Sequence, residues 1–214
     1  MDEFLQQLRN DHRQFDNGKL EDFVGNEPLH LIRQWLQEAV EKPVSEPNAM
    51  AISTVNEDDF PQSRIVYLKE LLEEGLVFYT NYLSDKGKSL TRHPKAHALI
   101  FWPDLERQIS ITGIVEKVPD EMSDDYFASR PRGSQLGAWA SHQSDRLESR
   151  AELEQRVEEL SERFPQQVPR PPHWGGFILH PLKVEFWQGR PSRLHDRIVF
   201  EKKGESWELY RKNP

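Results

Sequence analysis

Five short runs rich in β-branched and aromatic residues fall between residues 49 and 118, and their spacing constrains the fold more than any other feature. They are AMAISTV (49–55), SRIVYLKEL (63–71), LVFYTN (76–81), AHALIFW (96–102) and RQISITGIVEKV (107–118). Most are joined by turn-like segments such as NEDDFPQ and LEEG, with one brief helical piece, SDKGKSLTRHP. Strands joined mainly by turns pair with their neighbours in antiparallel fashion, so the pattern predicts a mainly β (α+β) barrel or sandwich, not a doubly wound parallel sheet.

Helical periodicity appears on either side of this block. Leu29, Ile32, Trp35/Leu36 and Ala39/Val40 recur at helix spacing, with Asn26 as the expected cap, Pro28 in the first turn and an end near Lys42–Pro43. Residues 1–26 are polar without clear periodicity and read as an arm or lid. Residues 119–164 turn helical and acidic, ending in ESRAELEQRVEELSERF, whose alternating charges mark a solvated face. After the proline-rich PQQVPRPPHW come two or three hairpin-like strands. The expected division is an arm at 1–26, a main domain at 27–164 and a C-terminal segment at 165–214 that completes the barrel.

Composition narrows the function. With 28 basic against 36 acidic residues the net charge is −8, which argues against a general nucleic-acid binder. Basic residues cluster locally at 86–95 and 190–203, which suits a small anionic ligand. There are no cysteines, so thiolate chemistry and Cys-ligated metal are excluded, and the histidines show no metal spacing. No apolar run approaches about 18 residues and MDEFLQQLRND has no signal-like apolar stretch, so a cytoplasmic location is the expectation. Glycine-rich phosphate loops and the HExxH and GxSxG signatures do not occur.

Five segments mix basic, hydroxyl and aromatic residues. Arg64-Ile-Val-Tyr-Leu-Lys69 puts two cations on a strand, on opposite faces by parity; two edge-strand surface charges explain it equally well. Phe78-Tyr79-Thr80-Asn81 runs into Ser84-Asp-Lys86-Gly-Lys88, either an anion site at a helix N-terminus or an ordinary Ser-capped helix. Arg107-Gln108 opens a strand, and Gln108 offers donor and acceptor to a heterocycle edge or to water. In Tyr126-Phe-Ala-Ser-Arg130-Pro-Arg-Gly-Ser134, Tyr126 and Arg130 share a helix face, and phenol, guanidinium and hydroxyl together suit a phosphate dianion; Gln143 and Ser144 follow. In Glu185-Phe-Trp187-Gln-Gly-Arg-Pro-Ser-Arg193-Leu-His195-Asp-Arg197, three potentially cationic groups alternate and would share one face of an extended stretch. They repel one another unless an anion or carboxylate compensates.

RIVYLK, FYTN, the S-x-K-G-K step, ERQ, YFxSRPRxSQxGAW, SxQS, WGGF and EFWQGxxxRLHDR occur together and in order. On these motifs the chain resembles the pyridoxine/pyridoxamine 5′-phosphate oxidase family from about residue 28 to the C-terminus. The resemblance implies a homodimer on an FMN-binding split β-barrel, acting on a phosphorylated B6 vitamer and O2. It implies that Arg64, Lys86 and Ser144 contact the FMN phosphate, with Tyr79, Thr80, Gln143, Trp187 and Arg197 completing the shell and Gln108 addressing the ring. It further implies that Lys69, Tyr126, Arg130 and Ser134 hold the substrate phosphate, with Lys69 also bordering the cofactor, and that Arg193 and His195 act catalytically over the pyridine ring. Two positions depart from the family. Asp85 stands where an arginine is usual, beside the FMN phosphate, which predicts weaker FMN retention unless it turns away or pairs with Lys88 or Arg92. The lid motif R-x-x-Y is replaced by His12-Arg-Gln-Phe15. Another split-barrel flavin oxidoreductase, or a non-catalytic pyridoxal phosphate binder, is the alternative reading.

Overall fold

In β1 (Ala49–Val55) alternate residues are buried, the period-two signature of a strand with one face in a core. The computed structural model describes residues 3–10, 14–21 and 24–214. The chain divides into two compact units, one of residues 48–100 and 111–183, the other of residues 1–47, 101–110 and 184–214.

In the first unit β1 pairs antiparallel with β2 (Pro61–Tyr67), matching Ala49 to Tyr67 and Ile52 to Arg64. Beyond it, β3 (Glu70–Leu71) pairs with β4 (Leu76–Asn81). The expected strand at 63–71 is thus interrupted at Leu68–Lys69, so parity between Arg64 and Lys69 does not carry across. Helix α3 (Asp85–Arg92) follows, capped by Ser84, whose Oγ accepts from the Gly87 N–H. Then come β5 (Lys95–Trp102), β6 (Arg107–Lys117) and β7 (Trp174–Gln188), in the order β2-β1-β5-β6-β7-β4-β3. β7 runs unbroken through Pro181 and is the first of three strands after the proline-rich connector, within the two or three expected. Between β6 and β7 lie α4 (Asp120–Ser129), α5 (Arg132–Ala140) and α6 (Arg150–Arg163). α6 buries no residue fully, as its alternating charges predict.

The second unit contains α2 (Pro28–Glu41), ending where expected but starting after Glu27 rather than Asn26, with no side-chain cap. Trp35 of α2 meets Phe186 edge-on at 5.2 Å, and Phe186 meets Phe200 at 5.8 Å. Each such buried ring contributes roughly 1.5–3 kcal/mol. β8 (Asp196–Lys203) and β9 (Ser206–Arg211) form the C-terminal hairpin. The polar arm holds a short helix, α1 (Glu3–Asn10), which weak periodicity did not announce. The His12 and Arg13 of the lid motif lie outside the described residues. Among the described residues no helix is long and apolar enough to cross a membrane.

Close packing within the first unit depends on a bare Cα at residue 113. A Cβ on Gly113 would stand 2.1 Å from the His180 carbonyl oxygen, a backbone atom with nowhere to go. Gly113→Ala is therefore expected to cost about 1–3 kcal/mol through overpacking, read as a lower urea midpoint at unchanged m. A midpoint equal to wild type would show that the sheet can relax here.

Candidate functional site

The first unit encloses a cavity of about 680 Å³. Among its described lining residues are three cations, Lys69, Lys86 and Arg130, and no carboxylate. Tyr79, Thr80, Tyr126, Ser134 and Gln143 line it too, so eight of the site residues expected from sequence share one cavity.

Lys86 shows why these residues gather. It sits in the first turn of α3, is 7% exposed, and its Nζ donates to Thr80 Oγ1 (3.0 Å), Ser84 Oγ (3.1 Å) and Gln143 Oε1 (3.0 Å). All three are neutral oxygens. Burial, and secondarily the neighbouring Arg64 charge, push its ammonium down to about 8, with Asp85 opposing. Arg64 donates from Nη1 to Thr54 Oγ1 (2.8 Å) and to the Ile52 carbonyl (3.3 Å), and burial lowers it also. Ser144 takes a left-handed φ of 78°, and its Oγ accepts from the Asp85 N–H at 3.2 Å. Asp85 is exposed and raises both Arg64 and Lys86, so its carboxylate acts on the two cations an anion would use. Arg92 is engaged with the Asn56 carbonyl at 2.7 Å.

The other end of the cavity carries Tyr126, Arg130 and Ser134. α4 ends at Ser129, and Arg130 is its extended C-cap, so the residues expected on one helix face meet through a helix end instead. Ser134 lies in the first turn of α5. Arg130 is half-buried and its Nη1 has no hydrogen-bond partner among the described residues. A buried guanidinium N–H without an acceptor costs free energy that a bound anion would recover. Lys69 is exposed at the rim, with Nζ 6.0 Å from the Tyr126 ring centroid.

Gln108, Trp187, Arg193, His195 and Arg197 belong to the second unit. Arg193 ends a 3-10 turn, Pro191–Arg193, with Ser192 and Arg193 at φ 58° and 62°. The stretch is therefore not extended, and the alternation expected for 193, 195 and 197 fails at its first member. His195 packs 4.6 Å from Trp187 and accepts at Nδ1 from the Arg190 N–H (3.1 Å). Its pKa is lowered by burial first, then by Arg193 and Arg197. The ring is neutral, and with Nδ1 accepting it holds its proton on Nε2. Arg197 is compensated by a carboxylate: Nε donates to the buried Glu185 Oε1 at 2.7 Å, and Lys212 Nζ to its other oxygen at 3.0 Å. Sequence reading placed Glu185 and Arg197 in one segment but did not pair them, because the Pro191–Arg193 turn that separates them is not visible in an alternating pattern. Gln108 lies half-buried in β6. Phe15 of the arm packs edge-on against Trp187 (5.7 Å) and His195 (5.5 Å).

Fold and cavity together define a split-barrel protein with a cation-lined cavity suited to anionic ligands. Residues 36–164 match the family model described as pyridoxamine 5′-phosphate oxidase, and residues 174–214 match the pyridoxine 5′-phosphate oxidase C-terminal dimerisation region. The chain belongs to the pyridoxamine 5′-phosphate oxidase family. A pyridoxine/pyridoxamine 5′-phosphate oxidase of Thermosynechococcus vestitus is 47% identical over 97% of each chain. One of Cupriavidus necator is 48% identical over 98% of this chain and all of its own. Among solved structures, PhzG from Burkholderia lata in complex with tetrahydrophenazine-1-carboxylic acid superposes with a TM-score of 0.85 at 30% identity, covering 92% of this chain and all of that one. A pyridoxamine 5′-phosphate oxidase-related, FMN binding protein of Nostoc punctiforme shares the fold, with a TM-score of 0.70 at 16% identity over 89% of this chain and all of its own.

Because the Lys86 ammonium titrates near 8, its charge is present below that pH and lost above it. Flavin affinity of the ligand-free protein, followed by flavin fluorescence quenching, is expected to fall as pH rises from about 7 to about 9. Lys86→Met should flatten the profile; a flat wild-type profile would overturn it. In the same assay Asp85→Arg is expected to tighten the flavin on the order of a few-fold, and no improvement would remove Asp85 as a competitor.

Proposed function

We propose that the chain oxidises pyridoxamine 5′-phosphate and pyridoxine 5′-phosphate to pyridoxal 5′-phosphate, with FMN as cofactor, O2 reduced to H2O2, and a homodimer as the working form. The observation that carries this reading is the cavity lined by Lys69, Lys86 and Arg130, with no carboxylate and no acceptor for Arg130 Nη1 among the described residues. Family membership and the names of the sequence relatives support the substrate class.

The residues fit a flavin that bears a phosphate. Lys86 is buried yet bonded only to neutral oxygens, so it retains charge for an anion. Arg64, Lys86 and Ser144 are assigned to that phosphate. Thr80, Gln143, Tyr79, Trp187 and Arg197 complete the shell, and Gln108 addresses the ring. Bound FMN supplies the two-electron acceptor: the alcohol yields the aldehyde directly, the amine yields an imine that water hydrolyses, and O2 takes the electrons on to H2O2.

The protein's own part is alignment and charge. Lys69, Tyr126, Arg130 and Ser134 clamp the substrate phosphate and so fix the position of the 4′ carbon. Arg193 and His195 are assigned to the pyridine ring. His195 presents its Nε2 proton as a donor, since Nδ1 is held by Arg190. The likeness to PhzG, which holds a carboxylate-bearing heterocycle, supports a second reading in which a different anionic heterocycle is oxidised.

An absorbance spectrum of the FMN-loaded protein, followed anaerobically by pyridoxamine 5′-phosphate, separates these readings. Bleaching with aldehyde formation, reversed by air, is expected. A bound flavin that ignores the vitamer but bleaches with a nicotinamide donor would sink the oxidase assignment, and a failure to bind flavin would leave only a vitamer-binding protein. Arg130→Ala is expected to raise the KM for pyridoxamine 5′-phosphate roughly 10- to 100-fold at unchanged flavin content, the size of a lost charge-assisted hydrogen bond. An unchanged KM would remove Arg130 from the clamp.

A further inference from the structure

Three aromatic rings lie nearly parallel beside the residues assigned to the substrate phosphate. Tyr79 stacks on Tyr126 with centroids 4.0 Å and planes 15° apart. Trp174 is tilted only 9° from Tyr79 and 8° from Tyr126, with centroids at 5.6 and 6.1 Å. The Arg130 guanidinium carbon sits 4.6 Å from the Trp174 ring centroid, and Trp174 itself is 6% exposed. Of the clamp residues, Tyr126 therefore rests on Tyr79, and Arg130 rests on Trp174.

What holds the stack is equally specific. Tyr79 is the cross-strand partner of Gly176 in the β4–β7 ladder. A Cβ at Gly176 would meet Tyr79 Cε1 at 2.8 Å, so the bare backbone leaves room for the ring. At the far edge the Tyr79 hydroxyl donates to Glu70 Oε1 at 2.6 Å. Burial, and after it the Glu70 hydrogen bond, raises the Tyr79 pKa, so the phenol stays protonated as a donor. Although Tyr79 lines the cavity, its polar atom is committed away from ligand.

We propose that Glu70 and Trp174 are positioning residues for phosphate recognition: Glu70 anchors Tyr79, and Tyr79 with Trp174 forms the platform that sets where Tyr126 and Arg130 stand. The inference rests on the assignment of Tyr126 and Arg130 to the substrate phosphate. It gives Tyr79 a role as a buttress through its ring, and it gives the Trp174-Gly175-Gly176 motif a function. Aromatic stacking and a guanidinium over an indole face are favourable and directional. Misplacing a group that makes a charge-assisted hydrogen bond to a phosphate costs roughly 10- to 100-fold in affinity.

The test uses the flavin-loaded protein and two probes that cannot be oxidised at the 4′ carbon, 4-deoxypyridoxine 5′-phosphate and 4-deoxypyridoxine, titrated calorimetrically. Glu70→Ala and Trp174→Leu are expected to weaken the phosphorylated probe about tenfold. Affinity for the unphosphorylated probe and flavin stoichiometry should stay at wild-type values. In turnover, KM should rise while kcat holds. Glu70→Gln keeps an acceptor for Tyr79, and Trp174→Phe keeps a flat ring, so both should recover most of the loss. Equal weakening of both probes, conservative variants as poor as the disruptive ones, or wild-type binding throughout would each overturn the proposal. If Trp174→Leu fails to fold, the Glu70 pair decides alone, because Glu70 lies on a two-residue strand and is only half-buried. A wild-type protein that does not prefer the phosphorylated probe would instead sink the phosphate assignment beneath it.

Discussion

The ladder between β4 and β7 matches Tyr79 to Gly176, Thr80 to Gly175 and Asn81 to Trp174, and much of the cavity takes its geometry from that register. Tyr79 and Thr80 alone meet bare β7 backbone, at Gly176 and Gly175, and those two positions leave room for the Tyr79 and Tyr82 rings. At Gly175 a Cβ would stand 2.1 Å from the Tyr82 hydroxyl, and at Gly176 2.8 Å from Tyr79. A slip of one residue would turn every side chain to the other face, so the register is held as firmly as the core itself.

Charge is arranged against the interest of the ligand-free protein. Lys86 is buried among neutral oxygens, Arg130 Nη1 is buried without a partner among the described residues, and both groups are pushed below their ordinary pKa by burial. A fold selected for stability alone would pair these cations with carboxylates, as Arg197 is paired with Glu185 and Arg170 with Asp120 and Asp124. Cations left without acid partners are what a phosphate-bearing ligand needs, and their cost is recovered on binding. Asp85 is the exception. It lies at the N-terminus of α3, where a carboxylate favours the helix dipole, and the same charge competes with an incoming anion.

Much of this was legible along the chain. Runs of β-branched and aromatic residues between turn-like segments located β1, β4, β5 and β6 closely, because such side chains suit a pleated, half-buried surface. The Ser84 cap and the lysines after it marked α3. Tyr126, Arg130 and Ser134 stood out because their chemistry is redundant unless an anion is present. Less legible was 193–197, where alternation implied an extended strand and the backbone instead turns through two left-handed residues, Ser192 and Arg193. Nothing in the local pattern forbids a strand there; the turn reflects tertiary packing.

Local composition by itself determined the element types, the absence of thiol chemistry, and the set of polar residues rich enough in cations and hydroxyls to hold phosphate. These depend on side-chain period and residue chemistry, which a one-dimensional string carries in full. Only the tertiary structure decided which of them meet: that Lys86 finds Gln143 across 57 positions, that Arg197 pairs with Glu185, and that Glu70, Tyr79 and Trp174 stand beside Tyr126 and Arg130. Such pairings are set by strand register and by where helices end. Both are fixed by the packing of the whole core, and no local window contains that information.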